Sequence, residues 1–250
     1  MATERKTDAR EAAVDPGPEI GNIPLLDDAI EHAPELEKKP KWRGWIHAGT
    51  FPLAIAAGIV LIVLSEGVPA KVASAVFMAS SLLLFGISAV YHRFNWSPKV
   101  KAVFRRLDHS NIFLLIAGTY TPLAIDALEW PKNIIMLSII WGGAILGILS
   151  RIFWLKAPRW SYVVLYVALG WAAVIYMGDL FAANPVTMIL VIVGGLSYTT
   201  GAMFYAFKRP NPVPGVFGFH ELFHSCTVIA FMCHWTGILL IAMHPIVGGS

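Results

Sequence analysis

Seven apolar stretches, each long enough to cross a bilayer, follow one another through most of this 250-residue chain, with short polar links between them. About 20 mainly apolar residues span a membrane as an α-helix. The hydrocarbon core offers no water to the backbone, so only elements that satisfy their own peptide groups can cross it. The expected spans are Trp45–Leu64, 71–91, 110–128, 133–153, 161–181, 186–207 and 219–241. The fold class is therefore all-α: a polytopic membrane protein with seven transmembrane helices. The third span is the least regular, because Thr119, Tyr120, Thr121 and Pro122 lie inside it. Pro122 removes a backbone donor and is expected to kink or weaken the helix there.

The links carry the orientation. Lys38, Lys39, Lys41 and Arg43 precede the first span; Arg93, Lys99, Lys101, Arg105 and Arg106 follow the second; Arg151, Lys156 and Arg159 follow the fourth; Lys208 and Arg209 follow the sixth. Links on the other side hold only Lys71 and Lys132. Positive charge accumulates on the cytoplasmic side, so the amino terminus is expected inside and the carboxyl terminus outside. This topology reads as that of a multi-pass protein of the plasma membrane.

The domain organisation is expected to be an acidic, disordered cytoplasmic tail over 1–40 and a membrane domain over 41–250. Of the 16 acidic residues, all but Glu66, Asp108, Asp126, Glu129, Asp179 and Glu221 lie in the first 37 positions, among five prolines that end at Pro40. Such a segment cannot bury enough apolar surface to offset the entropy of ordering. It offers a place for an unknown protein partner, with a short helix expected around 25–37. No apolar stretch follows Arg5, Lys6 and Arg10, so it does not read as a signal peptide. The basic residues are spread over short links, which argues against nucleic-acid binding. Cys226 and Cys233, seven residues apart on one helix, stand too far apart to bridge. Trp42, Trp45, Trp96, Trp130, Trp154, Trp160 and Tyr162 lie near span ends and fit interfacial anchoring. The glycines of the fourth and sixth spans suit close helix approach. No internal repeat points to an inverted-repeat transporter.

Chemistry gathers where the seventh span begins, at Gly218-Phe219-His220-Glu221-Leu222-Phe223-His224. His220 and His224 lie about one turn apart on one helical face, the spacing that lets two imidazoles hold one metal ion. The spelling also matches the H-E-x-x-H helix of zinc proteases, where the glutamate is the general base. The drawn topology brings three further groups to the same leaflet. His92 ends the second span, Ser88 lies one turn deeper on its face, and Asp108 opens the third. Ionisable groups at membrane depth are costly and mark function by default. Three histidines with a carboxylate or water suit tetrahedral zinc.

Three stretches resemble the haemolysin III family, the bacterial-type relatives of the progestin and adiponectin receptors. They are Ser88-x-x-x-His92, the run from Arg105-Arg106-Leu107-Asp108-His109-Ser110-Asn111 to Thr121-Pro122, and His220-Glu221-Leu222-Phe223-His224. The resemblance covers about residues 42–243. It implies Zn2+ held by His92, His220 and His224, with Asp108 against the metal's water and Ser88 nearby. The wider group includes seven-helix membrane hydrolases such as alkaline ceramidases.

Three mechanisms follow from these residues. The first is a zinc-dependent hydrolase of a lipid amide or ester bond at the cytoplasmic leaflet, with Asp108 as base. The second keeps a structural zinc in a non-enzymatic receptor, sensor or cytolytic channel. The third is an intramembrane metalloprotease with Glu221 as base. Glu221 is offset by about 100° from His220 around the helix; it reads instead as a cytoplasm-facing carboxylate paired with Arg93, Arg105 or Arg106. The remaining histidines read as having no part in the site: His47 and His109 lie near span starts, His109 alone with some claim as a donor behind the ligands, and His234 is a partnered core residue.

Overall fold

The computed structural model describes residues 39–153 and 159–246. The expected tail before residue 39, with its short helix, lies outside the described residues, as do Trp154 and Lys156. Among the described residues the chain forms eight α-helices: α1 Trp45–Leu64, α2 Gly67–Arg93, α3 Pro98–Ala127, α4 Lys132–Phe153, α5 Arg159–Gly170, α6 Met177–Ala183, α7 Pro185–Phe207 and α8 Phe219–Ala242. A 3-10 helix, Ala172–Tyr176, joins α5 to α6. These elements make seven segments, in the expected order. The protein is a multi-pass, all-helical membrane protein.

The bundle has an apolar core with polar groups buried in it, and an outer face that is strongly apolar. Ser74, Ser80, Ser81, Ser88, Thr119 and Thr187 are buried. Leu53, Val63, Leu146, Phe153 and Phe207 are at least 65% exposed. A water-soluble domain does not display so much aliphatic surface; around a membrane bundle, that surface meets lipid. Several interior hydroxyls find partners within a helix or across to the next: Thr119 Oγ1 donates to the Leu115 carbonyl at 2.8 Å, Ser81 Oγ to the Phe77 carbonyl at 2.7 Å, and Thr187 Oγ1 to the Gly237 carbonyl of α8 at 2.8 Å. Helix α1 packs on α2, α2 on α3, α3 on α4, and α7 on α8, which returns to touch α1 and α3.

Two segments differ from expectation. Helix α3 begins at Pro98, twelve residues before the expected start at 110, with Ser97 ahead of it and proline in its first turn. Proline is well placed there because the first helical N–H groups have no partner anyway. The basic residues 99–106 therefore ride on the helix rather than on a link, and Asp108 sits in its third turn. By length and composition six of the seven segments can cross a membrane, and α3 is the one that falls short. Its polar content is tolerated because it packs against α2, α4, α5, α6 and α8. Pro122 lies inside it, and the helix continues to Ala127.

The fifth segment is broken. Between Gly170 and Ala173 the Tyr120 hydroxyl donates to the Gly170 carbonyl at 2.7 Å and accepts from the Ala173 N–H at 2.8 Å. One phenol thus satisfies both backbone groups that an unbroken helix would have used. Irregular backbone at membrane depth is tolerated only where protein supplies such partners.

Candidate metal centre

Helix α2 ends in Tyr91-His92-Arg93, so its last turn delivers His92 to one end of the bundle. Helix α8 starts at that end, and its first two turns carry His220 and His224. The Gly218 N–H donates to Glu221 Oε2 at 2.9 Å and the Phe219 N–H to Asn211 Oδ1 at 3.0 Å, which fixes where α8 begins. His220 Nε2 and His92 Nε2 stand 3.2 Å apart. One ligand nitrogen from each of His92, His220 and His224 lies within 4.8 Å of the others.

The donor set fits zinc. Nitrogens at about 2.0–2.1 Å on a tetrahedral ion are roughly 3.3 Å apart, close to the His92–His220 separation. A shared proton would account for that pair alone and leaves the convergence of His224 unexplained. His92 and His224 are buried and His220 is partly buried, so the cluster is not a chance meeting of surface side chains. It could hold a metal ion.

Asp108 approaches from α3, with its Oδ2 3.7 Å from His92 Nε2. Ser88, one turn before His92 on α2, is buried beside that carboxylate and lines the same cavity. All five residues expected at the site therefore meet at one end of the bundle. Ser88, Asp108, His220 and His224 also line a cavity that runs inward past Ile112, Leu115, Tyr166 and Trp171 to His234. That cavity is largely apolar, with polar groups at the histidine end and again farther along at Thr119, Tyr120, Thr199 and His234.

Residues 39–44 strap this end together. Lys39 Nζ donates to the Phe94 carbonyl at 3.0 Å, just past the end of α2; burial and the neighbouring Lys101, Arg43 and Arg93 lower its pKa. The Lys41 and Trp42 N–H groups donate to the Gly215 and Val216 carbonyls of the link before α8. Gly44 turns into α1 at φ 78°, and a Cβ there would come 2.9 Å from the His92 Cβ. Arg43 Nε reaches Glu221 Oε1 at 2.6 Å. Glu221 is thus 1% exposed and paired with Arg43, not a cytoplasm-facing carboxylate held by Arg93, Arg105 or Arg106.

Two histidines that the sequence left aside belong to this region. The His47 ring stacks on the His224 ring, with centroids 3.8 Å apart and planes 8° apart. The signal was available in its depth: α1 starts at the same end as α8, and His47 is in its first turn. His109 lines the cavity, and its Nδ1 accepts from Arg151 Nη2 at 2.7 Å. Its ties run to Arg151 and the tyrosines rather than to His92, His220 or His224.

A family model described as "Haemolysin-III related" matches residues 37–235, which include every residue of the site. The chain is similar to "Hemolysin-3" of Bacillus cereus, 35% identical over 161 residues that cover 63% of this chain and 73% of that protein. It is similar to "Hemolysin-3 homolog" of Bacillus subtilis (strain 168), 32% identical over 161 residues, or 63% of this chain and 75% of that one. It is also similar to "Progestin and adipoQ receptor-like protein 1" of Caenorhabditis elegans, 31% identical over 188 residues, or 67% of this chain and 43% of that protein.

Proposed function

The chain belongs to the haemolysin-III-related family, and from that premise we propose that it is a zinc-dependent hydrolase of a lipid amide or ester bond. The observation that carries this reading is the cluster of His92, His220 and His224 with Asp108 Oδ2 3.7 Å from His92 Nε2, at the head of a largely apolar cavity. The chemistry a zinc ion supplies when bound is Lewis acidity: activation of water and polarisation of a carbonyl. Asp108 takes the proton of the attacking water and returns it to the leaving group. Ser88 holds the Asp108 carboxylate in place through its hydroxyl. The cavity excludes water from the acyl chain and aligns the scissile bond with the histidines.

The charge bias of the links supports a site at the cytoplasmic leaflet of the plasma membrane, amino terminus inside. There the bond between acyl chain and head group arrives at the depth of the histidines. The acidic segment 1–40 is proposed as the docking place of a protein partner.

The test uses the purified full chain, its zinc content and a panel of N-acyl and O-acyl lipids with labelled acyl chains. Fatty-acid release that follows zinc content and disappears in Asp108→Ala supports the reading. Release that persists in Asp108→Ala, or none from any lipid in zinc-loaded protein, sinks it. A second reading, a receptor or sensor with a structural zinc, has support in the receptor name of the Caenorhabditis elegans relative. It expects chelation to lower the melting temperature and ligands to bind without turnover. The protease reading is disfavoured, since Glu221 is already held by Arg43 and the Gly218 N–H.

A further inference from the structure

The cavity that opens at the histidine cluster ends against a polar side chain. His234 lies on α8, ten residues past His224, and also lines the cavity. At about 1.5 Å per residue this is roughly 15 Å along the axis. It is 8% exposed, and its Nε2 lies 3.3 Å from the Val191 carbonyl. A carbonyl only accepts, so Nε2 carries the proton and donates. The neutral ring then presents Nδ1 as a bare acceptor.

That nitrogen has no partner, whereas three other polar groups lining the cavity do. The Tyr120 hydroxyl serves Gly170 and Ala173, Thr119 Oγ1 the Leu115 carbonyl, and Thr199 Oγ1 the Gly195 carbonyl. Among the described residues that line the cavity, His234 Nδ1 is the single buried side-chain polar atom without a hydrogen bond. The fold also makes room for this ring. A Cβ on Gly194 would come 2.3 Å from its Nε2 and Cδ2, and the Tyr198 ring meets it edge-on with centroids 5.6 Å apart. An unmet acceptor in a low-dielectric interior is costly, and a hydroxyl on whatever fills the cavity relieves that cost.

We propose that His234 selects the ligand of this cavity: a long-chain amphiphile whose acyl chain bears a hydroxyl near its middle, roughly 15 Å from the end that faces the histidine cluster. The hydroxyl donates to Nδ1 while the chain fills the apolar wall. This rests on the reading that the cavity takes a lipid and does not depend on turnover. A site built to meet a hydroxyl discriminates against the analogue that lacks it, because the protein group is then left unpaired.

Equilibrium binding of ricinoleic and oleic acid to the full chain in nanodiscs tests the idea, since the main difference between the two acids is one mid-chain hydroxyl. Ricinoleic acid is expected to bind roughly tenfold more tightly. His234→Phe should erase the difference between the two acids, and His234→Gln, which keeps an acceptor, should retain part of it. Melting curves identify any variant that has lost its fold, and the Gln variant then stands in for the Phe variant. Equal affinities in the unaltered protein, or a preference that survives in His234→Phe, overturn the assignment of His234 alone. If neither acid binds, the lipid reading of the cavity falls with it.

Discussion

Arg43 and Glu221, 178 positions apart in sequence, meet at 2.6 Å and tie the entrance of the first helix to that of the last. The carboxylate is 1% exposed and the guanidinium side chain 23%. The pair is therefore neither a screened surface contact nor a fully desolvated one. Glu221 also closes the first turn of α8 through the Gly218 N–H, immediately beside His220. It holds the start of the helix that carries His220 and His224 in place, and this leaves it poorly suited to serve as a mobile base.

The first prediction separates these roles. Removing one member of a fully buried ion pair costs about 3–5 kcal/mol, and the exposure of Arg43 reduces this to roughly 1–3 kcal/mol. Arg43→Met should lower thermal stability in detergent by that order. Glu221→Gln keeps the shape and the backbone contact, so it should cost less than Arg43→Met and leave lipid hydrolysis standing. Complete loss of turnover in a folded, zinc-loaded Glu221→Gln protein would return the glutamate to the role of base.

The second prediction concerns metal content. If His92, His220 and His224 are the ligands, the purified chain should carry about one zinc per molecule by elemental analysis, three protein ligands being the number that catalytic zinc sites use. His92→Ala, His220→Ala and His224→Ala should each bring the content well below that. His244→Ala, far from the cluster in sequence and depth, should not. Equal zinc in all four variants would remove these residues from the metal site.

A third prediction concerns Asp108 and Ser88. General acid–base groups contribute roughly 10²–10⁴-fold to rate. Asp108→Ala should lose turnover by at least that order with zinc retained. Ser88→Ala removes only the hydroxyl that orients the carboxylate; a hydrogen bond to a charged group is worth about 1.5–3 kcal/mol, or roughly ten- to a hundredfold. An ordering in which Ser88→Ala is the more damaging would reverse their assignment.

Much of the fold and the identity of the cluster could be read before any coordinates, because both rest on one-dimensional quantities. Span length and link charge give the order of helices and their depth. Depth alone was enough to gather His92, Asp108, His220 and His224 at one end. Facts that depend on the direction a side chain takes around its helix were not legible. His47 had the right depth, but only packing shows that its ring lies on His224. Glu221 had several basic candidates, and the strap before α1 delivered Arg43, which no spacing rule favours. Helix α3 was begun too late because the run from Lys99 to Arg106 resembles a link, although Ser97-Pro98 is a helix-start signal. The break after Gly170 was invisible because the group that partners its backbone, Tyr120, lies 50 residues upstream.

The stack of His47 on His224 leads to a fourth prediction. Partners that hold a ligand's ring in orientation typically govern metal affinity by 10–100-fold when removed. His47→Phe keeps an aromatic face against His224 and the edge contact with Phe85, whose ring centroid is 5.1 Å from that of His47. His47→Ala removes both. Zinc affinity, measured by competition with a chelator, should fall by about tenfold or more in His47→Ala and stay near the original value in His47→Phe. If both variants bind zinc equally well, the stack has no part in seating the ligand.

The Tyr120 phenol offers the last test, and it reports on the fifth segment alone. Tyr120→Phe removes one oxygen and leaves the Gly170 carbonyl and the Ala173 N–H without the partner that both now share. Each unmet buried polar group costs about 1–3 kcal/mol, although in membranes the unfolded reference also finds partners and the measured costs are smaller. A loss of roughly 2–3 kcal/mol in stability is expected. Hydrogen exchange should accelerate in residues 168–176, while α8 and the zinc content stay unchanged. Rebuilding a continuous helix is the alternative outcome. In that case exchange over 168–176 would slow instead, and the phenol would be shown to hold the segment open rather than to mend it.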